Sequence, residues 1–231
     1  METTLVQTLG EYISVIEALH RSDKPTLFRG QNCEGNLLPS IVRIDPEVDT
    51  GPVETKMLGE LRRTGTMLLN SQGLDDWELL VVAQHYGLST RLLDWSSNPL
   101  AALWFACTGK ADGDGFIYGL QSKDEDMIGR GEKSPFKQAR TRIYRPRLNN
   151  PRIVAQSGWF TVHRYSKKAG AFVPLEKNAE MSKSVFEIRI PVSAKHELLR
   201  SLDRNGMNST VLFPDLEGLC RHLSWKHSPI G

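Results

Sequence analysis

The stretch QHYGLSTRLLDWSSNPLAALWFA, residues 84–106, decides the fold because it joins a polar segment to an apolar one. Gly87 ends a helix that begins near Asp76, since glycine is the usual residue just past a helix end. Asp75 or Asp76 is suited to cap the start of that helix. Residues 88–95 are then extended or turning. This polar half is either one wall of an active site or a cluster that holds the core together.

The apolar half of the stretch predicts a second helix. Asn98 can cap the helix, and Pro99 fits its first turn because the missing N–H would have no partner there. Residues 100–107 are apolar on nearly every side, which is typical of a buried helix.

Helical and strand patterns are mixed along the rest of the chain, with no internal repeat. We therefore predict one α+β domain over residues 1–231, with a mixed strand core and flanking helices. Residues 121–150 are interpreted as a long connection and residues 165–183 as an exposed excursion. The predicted helices are 6–20, 54–70, 194–204 and one that begins near Asp215, and the predicted strands are 26–30, 116–120, 153–164, 184–190 and 210–213.

The amino-acid composition does not indicate a binding partner. The chain has 29 Lys and Arg against 27 Asp and Glu, so no global charge excess recruits nucleic acid or a membrane. The 3 cysteines lack CxxC spacing, which favours a reducing compartment. The N-terminus lacks the pattern of a signal peptide, and no window approaches a membrane span. We expect a cytoplasmic protein with no membrane partner.

Arg29, Gly30 and Gln31 follow a short predicted strand. A guanidinium is suited to bind a phosphate or a carboxylate group, and a glycine lets a ligand approach the backbone closely. The structural alternative is an arginine that pairs with a core carboxylate such as Asp94.

A second group of candidates lies within residues 84–106. His85 can act as a general base or satisfy carbonyls at the helix end, and Tyr86 lies beside it. Ser89, Thr90 and Arg91 offer hydroxyls and a cation, but GLSTR lacks the G-x-S-x-G elbow of a serine nucleophile. The hydroxyls are better suited to position a ligand or stabilise a turn. Asp94 favours a buried salt bridge to Arg29 or Arg91.

The other acidic residues give weaker signals. Glu187 alternates with apolar neighbours and is expected to face solvent or a ladder partner. Asp215 and Glu217 follow Pro214 at a predicted helix start, where carboxylates are favourable. His, Cys and carboxylates never fall at metal-ligand spacing, so we expect no metal.

Residues 137–152 form a basic stretch without an acidic residue. Such a stretch can track a phosphate backbone, with Tyr144 to stack on a base, or it can be a solvated loop. Its basic residues are Lys137, Arg140, Arg142, Arg145, Arg147 and Arg152.

Several motifs together resemble the FRG domain family, named for its Phe/Tyr-Arg-Gly motif. The resemblance runs from about residue 25 to 225. It implies a family of largely undefined biochemistry, often met in bacteria, mobile elements and phages. The motifs are FRGQ at 28–31, LLPSIVR at 37–43, AQHYGLSTRLLDWSSNPLAALWFA at 83–106, RIVAQSGWFTVH at 152–163 and LFPDLEGL at 212–219.

The order of these motifs is also similar to that of the split-sheet ADP-ribosyltransferases, which implies a fold of that type with a split, mixed β core. That resemblance implies that Arg29 contacts NAD near the nicotinamide and that Ser89 with Thr90 shapes the nicotinamide pocket. The late-strand Glu of that superfamily is replaced here by Gln156, which can bond ribose hydroxyls but carries no charge. Glu217 or Asp215 can substitute if the last helix folds over the cleft.

The resemblances lead to three functional hypotheses. The first is an ADP-ribosyltransferase that uses NAD as substrate and modifies a protein or nucleic acid, as a toxin or phage-conflict effector. Its expected catalytic residues are Arg29, His85, Gln156 and Glu217. The second is a non-catalytic nucleotide- or nucleic-acid-binding module, and the third is an interaction module whose polar motif only braces the core. The residues expected to bind the nucleotide are Arg29, Gly30, Gln31, Tyr86, Ser89, Thr90, Arg91 and Asp94.

Overall fold

A computed structural model describes residues 3–19, 25–69, 73–109, 112–129, 131–132 and 134–228. The strands are β1 (Thr3–Leu5), β2 (Thr26–Gln31), β3 (Leu92–Ser96), β4 (Gly115–Gln121), β5 (Arg142–Tyr144), β6 (Gly158–Val162), β7 (Tyr165–Ser166), β8 (Ala171–Phe172) and β9 (Val185–Ile190). The helices are α1 (Leu9–Leu19), α2 (Gly51–Thr64), α3 (Asp76–His85), α4 (Pro99–Cys107), α5 (Pro151–Ala155), α6 (Val192–Arg204), α7 (Ser209–Leu212) and α8 (Leu216–Lys226). The fold is α+β, as predicted.

Seven strands form one mixed sheet in the order β1-β9-β4-β2-β3-β6-β5. β1 pairs parallel to β9, and the other pairs are antiparallel. β2 and β3 share a single register pair, Phe28 with Ser96, whereas β2 and β4 are paired from Thr26 to Gln31. The sheet is therefore nearly divided in two between β2 and β3, and we call this position the seam.

Apolar clusters cover both parts of the sheet. Tyr12, Phe28 and Leu103 belong to the cluster that packs α1, α4 and α6 on the strands β2, β4 and β9. Trp77 and Val162 belong to the cluster that packs α2 and α3 on β3 and β6. A further cluster spans the seam, since it contains Leu27 of β2 and both Leu93 and Trp95 of β3.

Helix α4 confirms the prediction made from residues 98–107. The Asn98 side chain accepts from the backbone N–H groups of Leu100 and Ala101, at 2.9 and 3.4 Å. Gly30 of β2 lies against this helix, because a Cβ atom there would stand 1.9 Å from the carbonyl oxygen of Ala102. Only glycine lets the strand and helix approach this closely.

Other predictions were confirmed near the expected bounds. Asp75 caps α3 in a capping box with Glu78, and Asp215 caps α8. The strands predicted at 26–30, 116–120 and 184–190 and the helix predicted at 194–204 are present as β2, β4, β9 and α6. Helix α1 begins at Leu9 rather than residue 6. Helix α2 begins at Gly51 and ends at Thr64, so the prediction that residues 65–69 are helical was wrong. The predicted ends of these two helices, residue 20 and Asn70, lie outside the described residues.

Other predictions of the fold were wrong. Residues 121–150 are not merely a connection, because they contain β5, which pairs with β6. Residues 153–164 do not form one strand: Asn150 caps α5, and β6 begins only at Gly158 after Ser157 with a left-handed φ of 48°. Residues 210–213 belong mainly to α7, because the side chain of Asn208 caps a helix there. The segment 165–183 is not merely exposed, since its apolar side chains fill the core. Those buried side chains are Phe172, Leu175 and Met181.

The longest helix of the described ranges, α2, has 14 residues. No described helix combines the length and apolar character that crossing a bilayer requires.

Candidate functional site

A cavity of about 390 Å³ opens at the seam, on the side of the sheet that carries α3, α4 and α5. It exists because β2 and β3 separate after one register pair, and because three helices border the gap. Its polar and charged lining residues are Arg29, Gln84, His85, Asp94, Ser96, Arg152 and Gln156, and its aromatic ones are Phe28, Trp95, Phe105, Trp159, Phe160 and Phe213.

Arg29 crosses the seam from β2 to β3. Its Nη1 donates to the carbonyl oxygen of Asp94 at 2.8 Å and lies 3.7 Å from the Asp94 carboxylate. Burial lowers the pKa of Arg29 from its ordinary value, although Asp94 opposes this shift. Among the described residues, the buried Nε–H of Arg29 has no acceptor. Such a donor costs about 1–3 kcal/mol, so each one in a folded protein needs an explanation.

The Asp94 carboxylate is held by a directed hydrogen-bond chain. The amide nitrogen of Gln84 donates to Asp94 Oδ1 at 2.6 Å. The Thr90 hydroxyl donates to Gln84 Oε1, which fixes the amide with its nitrogen toward Asp94. Asp94 itself is exposed, with 61% of its side chain open to solvent. The predicted pairing of Arg29 with Asp94 is therefore present, but it lies at the surface of the cleft rather than in the core.

Thr90 and Arg91 lie behind the cleft and do not face it. Thr90 is buried and reaches the cleft only through Gln84. The Arg91 guanidinium is buried against the carboxylate of Glu54, at 2.8 Å, so of the two partners expected for Asp94 the structure shows Arg29 and not Arg91. Arg91 is a core residue and cannot contact a ligand in the cavity.

His85 lines the cavity at the end of α3, and Tyr86 does not. Burial and the nearby Arg152 lower the pKa of His85, so the neutral imidazole dominates at pH 7. Tyr86 is 77% exposed, and its ring packs edge-on against that of His85. Gly87 ends the helix as predicted, with a φ of 92° and N–H bonded to the Gln84 carbonyl.

A second cavity, of about 350 Å³, adjoins the first. Arg29, Gln84 and Asp94 line both cavities. Ser89 is exposed and lines this second cavity rather than the first. The two remaining polar side chains at its wall, Ser40 and Arg43, come from the LLPSIVR motif.

Gly30 and Gln31 have less direct relations to the cleft. Gly30 lines the first cavity, but its glycine is required by the contact with α4. Gln31 lines neither cavity, and its amide donates to the Gly35 carbonyl at 3.4 Å.

Gln156 and Glu217 are separated in the structure. Gln156 follows α5, not a strand, and lines the first cavity, where its amide donates to the Leu212 carbonyl at 3.1 Å. Glu217 lies outside that lining and accepts from Arg152 at 2.7 Å and from Arg221 at 2.5 Å. The pKa of Glu217 is lowered, first by its bond to Arg152. Glu217 thus acts on the cleft only through Arg152, which it shares with Asp215.

Most arginines of the basic stretch already have acidic partners. Arg147 lies 3.0 Å from Glu78, and Arg142 lies 3.2 Å from Glu132. Arg145 covers Trp159, with its guanidinium carbon 5.1 Å from the ring centroid. The stretch therefore carries much less uncompensated charge than its sequence suggests. Arg140 and Arg152 are the other paired members, with Asp126 and with Asp215 and Glu217.

Two residues of the site were not among the candidates from the sequence: Gln84, which orients Asp94, and Trp159, which provides an aromatic surface. Arg152 was a candidate only as a member of the basic stretch, and it lies at the cavity wall. Within the described ranges, no group of three or more His, Cys, Asp or Glu is arranged to hold a metal ion.

The family model of the FRG domain matches residues 24–115, from just before β2 to the first residue of β4. This match supports the resemblance to the FRG family over that segment, which contains Arg29, Gln84, His85 and Asp94. No curated protein and no solved structure matches the chain.

Proposed function

We propose that the cleft at the seam binds NAD and that the protein transfers ADP-ribose from it to a macromolecular acceptor. The observation that carries the proposal is the position of Arg29 and Asp94. A guanidinium with an unused donor and an exposed carboxylate face each other, 3.7 Å apart, where two cavities meet. The order of a strand with Arg-Gly, a Ser/Thr segment and an apolar helix adds the resemblance to ADP-ribosyltransferases.

The reaction needs a negative charge beside the ribose. The C1′–N bond breaks, nicotinamide leaves as a neutral molecule with the bonding electrons, and the sugar becomes like an oxocarbenium ion before the acceptor bonds to C1′. A fixed carboxylate stabilises that positive charge. Of the described residues that line the first cavity, only Asp94 carries a carboxylate. We therefore assign to Asp94 the role that the resemblance gives to a late-strand Glu.

The walls of the first cavity suit the nicotinamide riboside part of NAD. Its volume of about 390 Å³ lies within the range of about 300–1,000 Å³ common for small-molecule sites. Trp159 and Phe105 offer flat apolar surfaces for an aromatic ring. Gln156 can bond to ribose hydroxyls from the wall that α5 provides.

His85 is placed to accept a proton. When the acceptor attacks C1′, its nucleophilic group must lose one proton, and a neutral imidazole at the cavity wall can take it. The lowered pKa of His85 keeps the ring neutral at pH 7, which favours this role.

The test uses NAD labelled in its adenylate phosphate, incubated with the protein and a bacterial lysate. Label on protein or nucleic acid is expected with the wild-type chain and absent with Asp94→Asn, which keeps the shape of the side chain but not its charge. Asp76→Asn is the matched control, because Asp76 is an exposed aspartate paired with Arg62 outside the cleft. Arg29→Lys, which keeps the charge without the planar fork, is expected to weaken NAD binding.

A non-catalytic nucleotide-binding module is the second candidate. It is favoured by one observation: the Asp94 carboxylate already accepts a hydrogen bond from the Gln84 amide. Saturable NAD binding by calorimetry, without release of nicotinamide in any acceptor mixture, would select this candidate over the transferase. Loss of the folded state in Arg29→Lys and Asp94→Asn alike would instead select the hypothesis that these residues only brace the core.

A further inference from the structure

The second cavity carries more positive than negative charge. Its charged lining residues are Arg29, Arg43 and Asp94, two cations against one anion. Two like charges that face one space repel each other, and an anion between them relieves that repulsion. The hydroxyl groups of Ser40 and Ser89 line the same space and can donate hydrogen bonds.

The two guanidiniums are positioned by contacts that leave donors for a ligand. Arg43 follows a short 3-10 helix at residues 40–42, and its Nε donates to the Leu38 carbonyl at 3.1 Å. This contact uses one of the five N–H donors of the side chain. Arg29 is held by Asp94, and the nearby charge of Arg43 contributes, after burial, to the lowered pKa of Arg29.

Arg43 differs from most of the described arginines, which have a carboxylate partner. Arg91, Arg142, Arg147 and Arg152 each have a carboxylate within 4 Å. No salt bridge joins Arg43 to a described residue, although it lines a cavity. A cation kept beside a cavity without such a partner is suited to an anionic ligand.

We infer that the second cavity is a diphosphate subsite, in which Arg29 and Arg43 hold the two phosphate groups of a nucleotide and Ser40 and Ser89 bond to their oxygens. Each guanidinium is a planar fork of N–H donors that can bind two oxygens of one phosphate group, so two guanidiniums are suited to two adjacent phosphates. The inference rests on the proposed function in one respect: it places the diphosphate of NAD beside the cavity that would hold the nicotinamide ribose. Arg29, at the junction, would then contact both parts.

The experiment measures binding of inorganic pyrophosphate, ADP and adenosine by calorimetry. Pyrophosphate and ADP are expected to bind the wild-type protein, and adenosine much more weakly. Arg43→Gln is expected to weaken the binding of pyrophosphate and of ADP by about 10- to 100-fold, which is the contribution of one hydrogen bond to a charged group. The matched control is Arg204→Gln, because Arg204 is an exposed arginine of α6 that lines neither cavity.

A second variant tests the subsite independently, in case Arg43→Gln does not fold. Ser89→Glu places a negative charge at an exposed position of the cavity wall and should abolish pyrophosphate binding, whereas Ser89→Gln, of similar size but uncharged, removes only the hydroxyl and should weaken binding far less. Pyrophosphate that does not bind, or that binds equally to the wild type, Arg43→Gln and Ser89→Glu, overturns the subsite.

NAD turnover, measured on the same preparations, separates the two proposals. If pyrophosphate binding depends on Arg43 but NAD is not turned over, the subsite is supported and the transferase proposal is rejected. If NAD is turned over and Arg43→Gln leaves the KM for NAD unchanged, the transferase is supported and the subsite is rejected.

Discussion

Glu54 of α2 and Arg91, the residue directly before β3, form a buried ion pair that joins the helix to the sheet. Glu54 accepts from the Arg91 backbone N–H at 2.9 Å and from its guanidinium at 2.8 Å, and the Thr50 hydroxyl donates to Glu54 at 2.7 Å. The Arg91 guanidinium also lies over the Phe136 ring, 4.9 Å from its centroid. Arg91 thus fixes the segment that precedes Asp94.

Removal of one partner from this pair should be costly. Glu54→Ala leaves the Arg91 charge buried without compensation, and we expect the free energy of unfolding to fall by about 3–5 kcal/mol. Urea unfolding followed by circular dichroism measures the change. Glu60→Ala, on the same helix, removes an exposed partner of Arg63 and should cost less than about 1 kcal/mol. Equal costs for the two variants would show that burial of the pair is not decisive.

Gly30 should tolerate no side chain. In Gly30→Ala the new Cβ would stand 1.9 Å from the Ala102 carbonyl oxygen, so β2 and α4 must separate, which we expect to cost about 3 kcal/mol or more. Thermal melting measures the loss. Gly59→Ala is the control, since Gly59 is an exposed residue of α2 and an added Cβ would meet open space. This variant should be more stable than the wild type by up to about 1 kcal/mol. A neutral Gly30→Ala would contradict this account of the contact.

His163 should make stability depend on pH. Burial and the charges of Arg29 and Arg91 lower the pKa of His163 to about 3. The unfolded chain, with a histidine pKa of about 6.5, therefore takes up a proton that the folded protein does not, and stability falls as the pH falls below that value. Between pH 8 and pH 5 this histidine should reduce the free energy of unfolding by about 2 kcal/mol.

The contacts of His163 agree with a neutral ring. Its Nε2 forms a hydrogen bond with the Thr161 hydroxyl at 3.0 Å, and its buried Nδ1 has no partner among the described residues, so a charged ring would leave an N–H donor unsatisfied there. Urea titrations at both pH values should give a flatter profile for His163→Gln than for the wild type. Exposed His196 supplies the control, since His196→Gln should keep the wild-type slope.

Under the proposed transferase function, Thr90 should act on NAD turnover through Gln84. Thr90→Val removes the donor that orients the Gln84 amide, so Asp94 loses its fixed position, and kcat for NAD should fall about tenfold or more with KM little changed. Steady-state kinetics measure both constants. Thr90→Ser, which keeps the hydroxyl, should restore the rate. If Thr90→Ser is as slow as Thr90→Val, Thr90 does not act on Asp94 through the Gln84 amide.

Local signals in the sequence predicted much of the fold. Asn98 with Pro99 and Asp75 with Glu78 are capping patterns that depend only on neighbouring residues, and both helices begin where these patterns predict. Asn150 with Pro151 repeats the Asn98 pattern and could have revealed α5. The β-branched and aromatic residues that follow it favoured a strand over the whole segment, and this preference gave the wrong assignment for Gln156.

Long-range pairings could not be predicted in this way. Glu54 has the sequence context of an ordinary surface residue of an amphipathic helix, and nothing near it signals a buried partner at Arg91. The same limit applies to the basic stretch, whose acidic partners lie on separate elements, among them Glu78 of α3 and Asp215 before α8. Gln84 was missed because an uncharged amide gives no signal until its neighbours are known. Its position directly before His85 was the only indication.

The edges of the sheet have a consequence for behaviour at high concentration. β1 and β5, the two outermost strands, have three residues each. Short edge strands expose few unpaired backbone groups to which another chain can add a strand. The longer strands β2, β4 and β9 lie inside the sheet and are paired on both sides. The folded protein should therefore resist aggregation by strand addition, and its most aggregation-prone segments should become accessible only on unfolding.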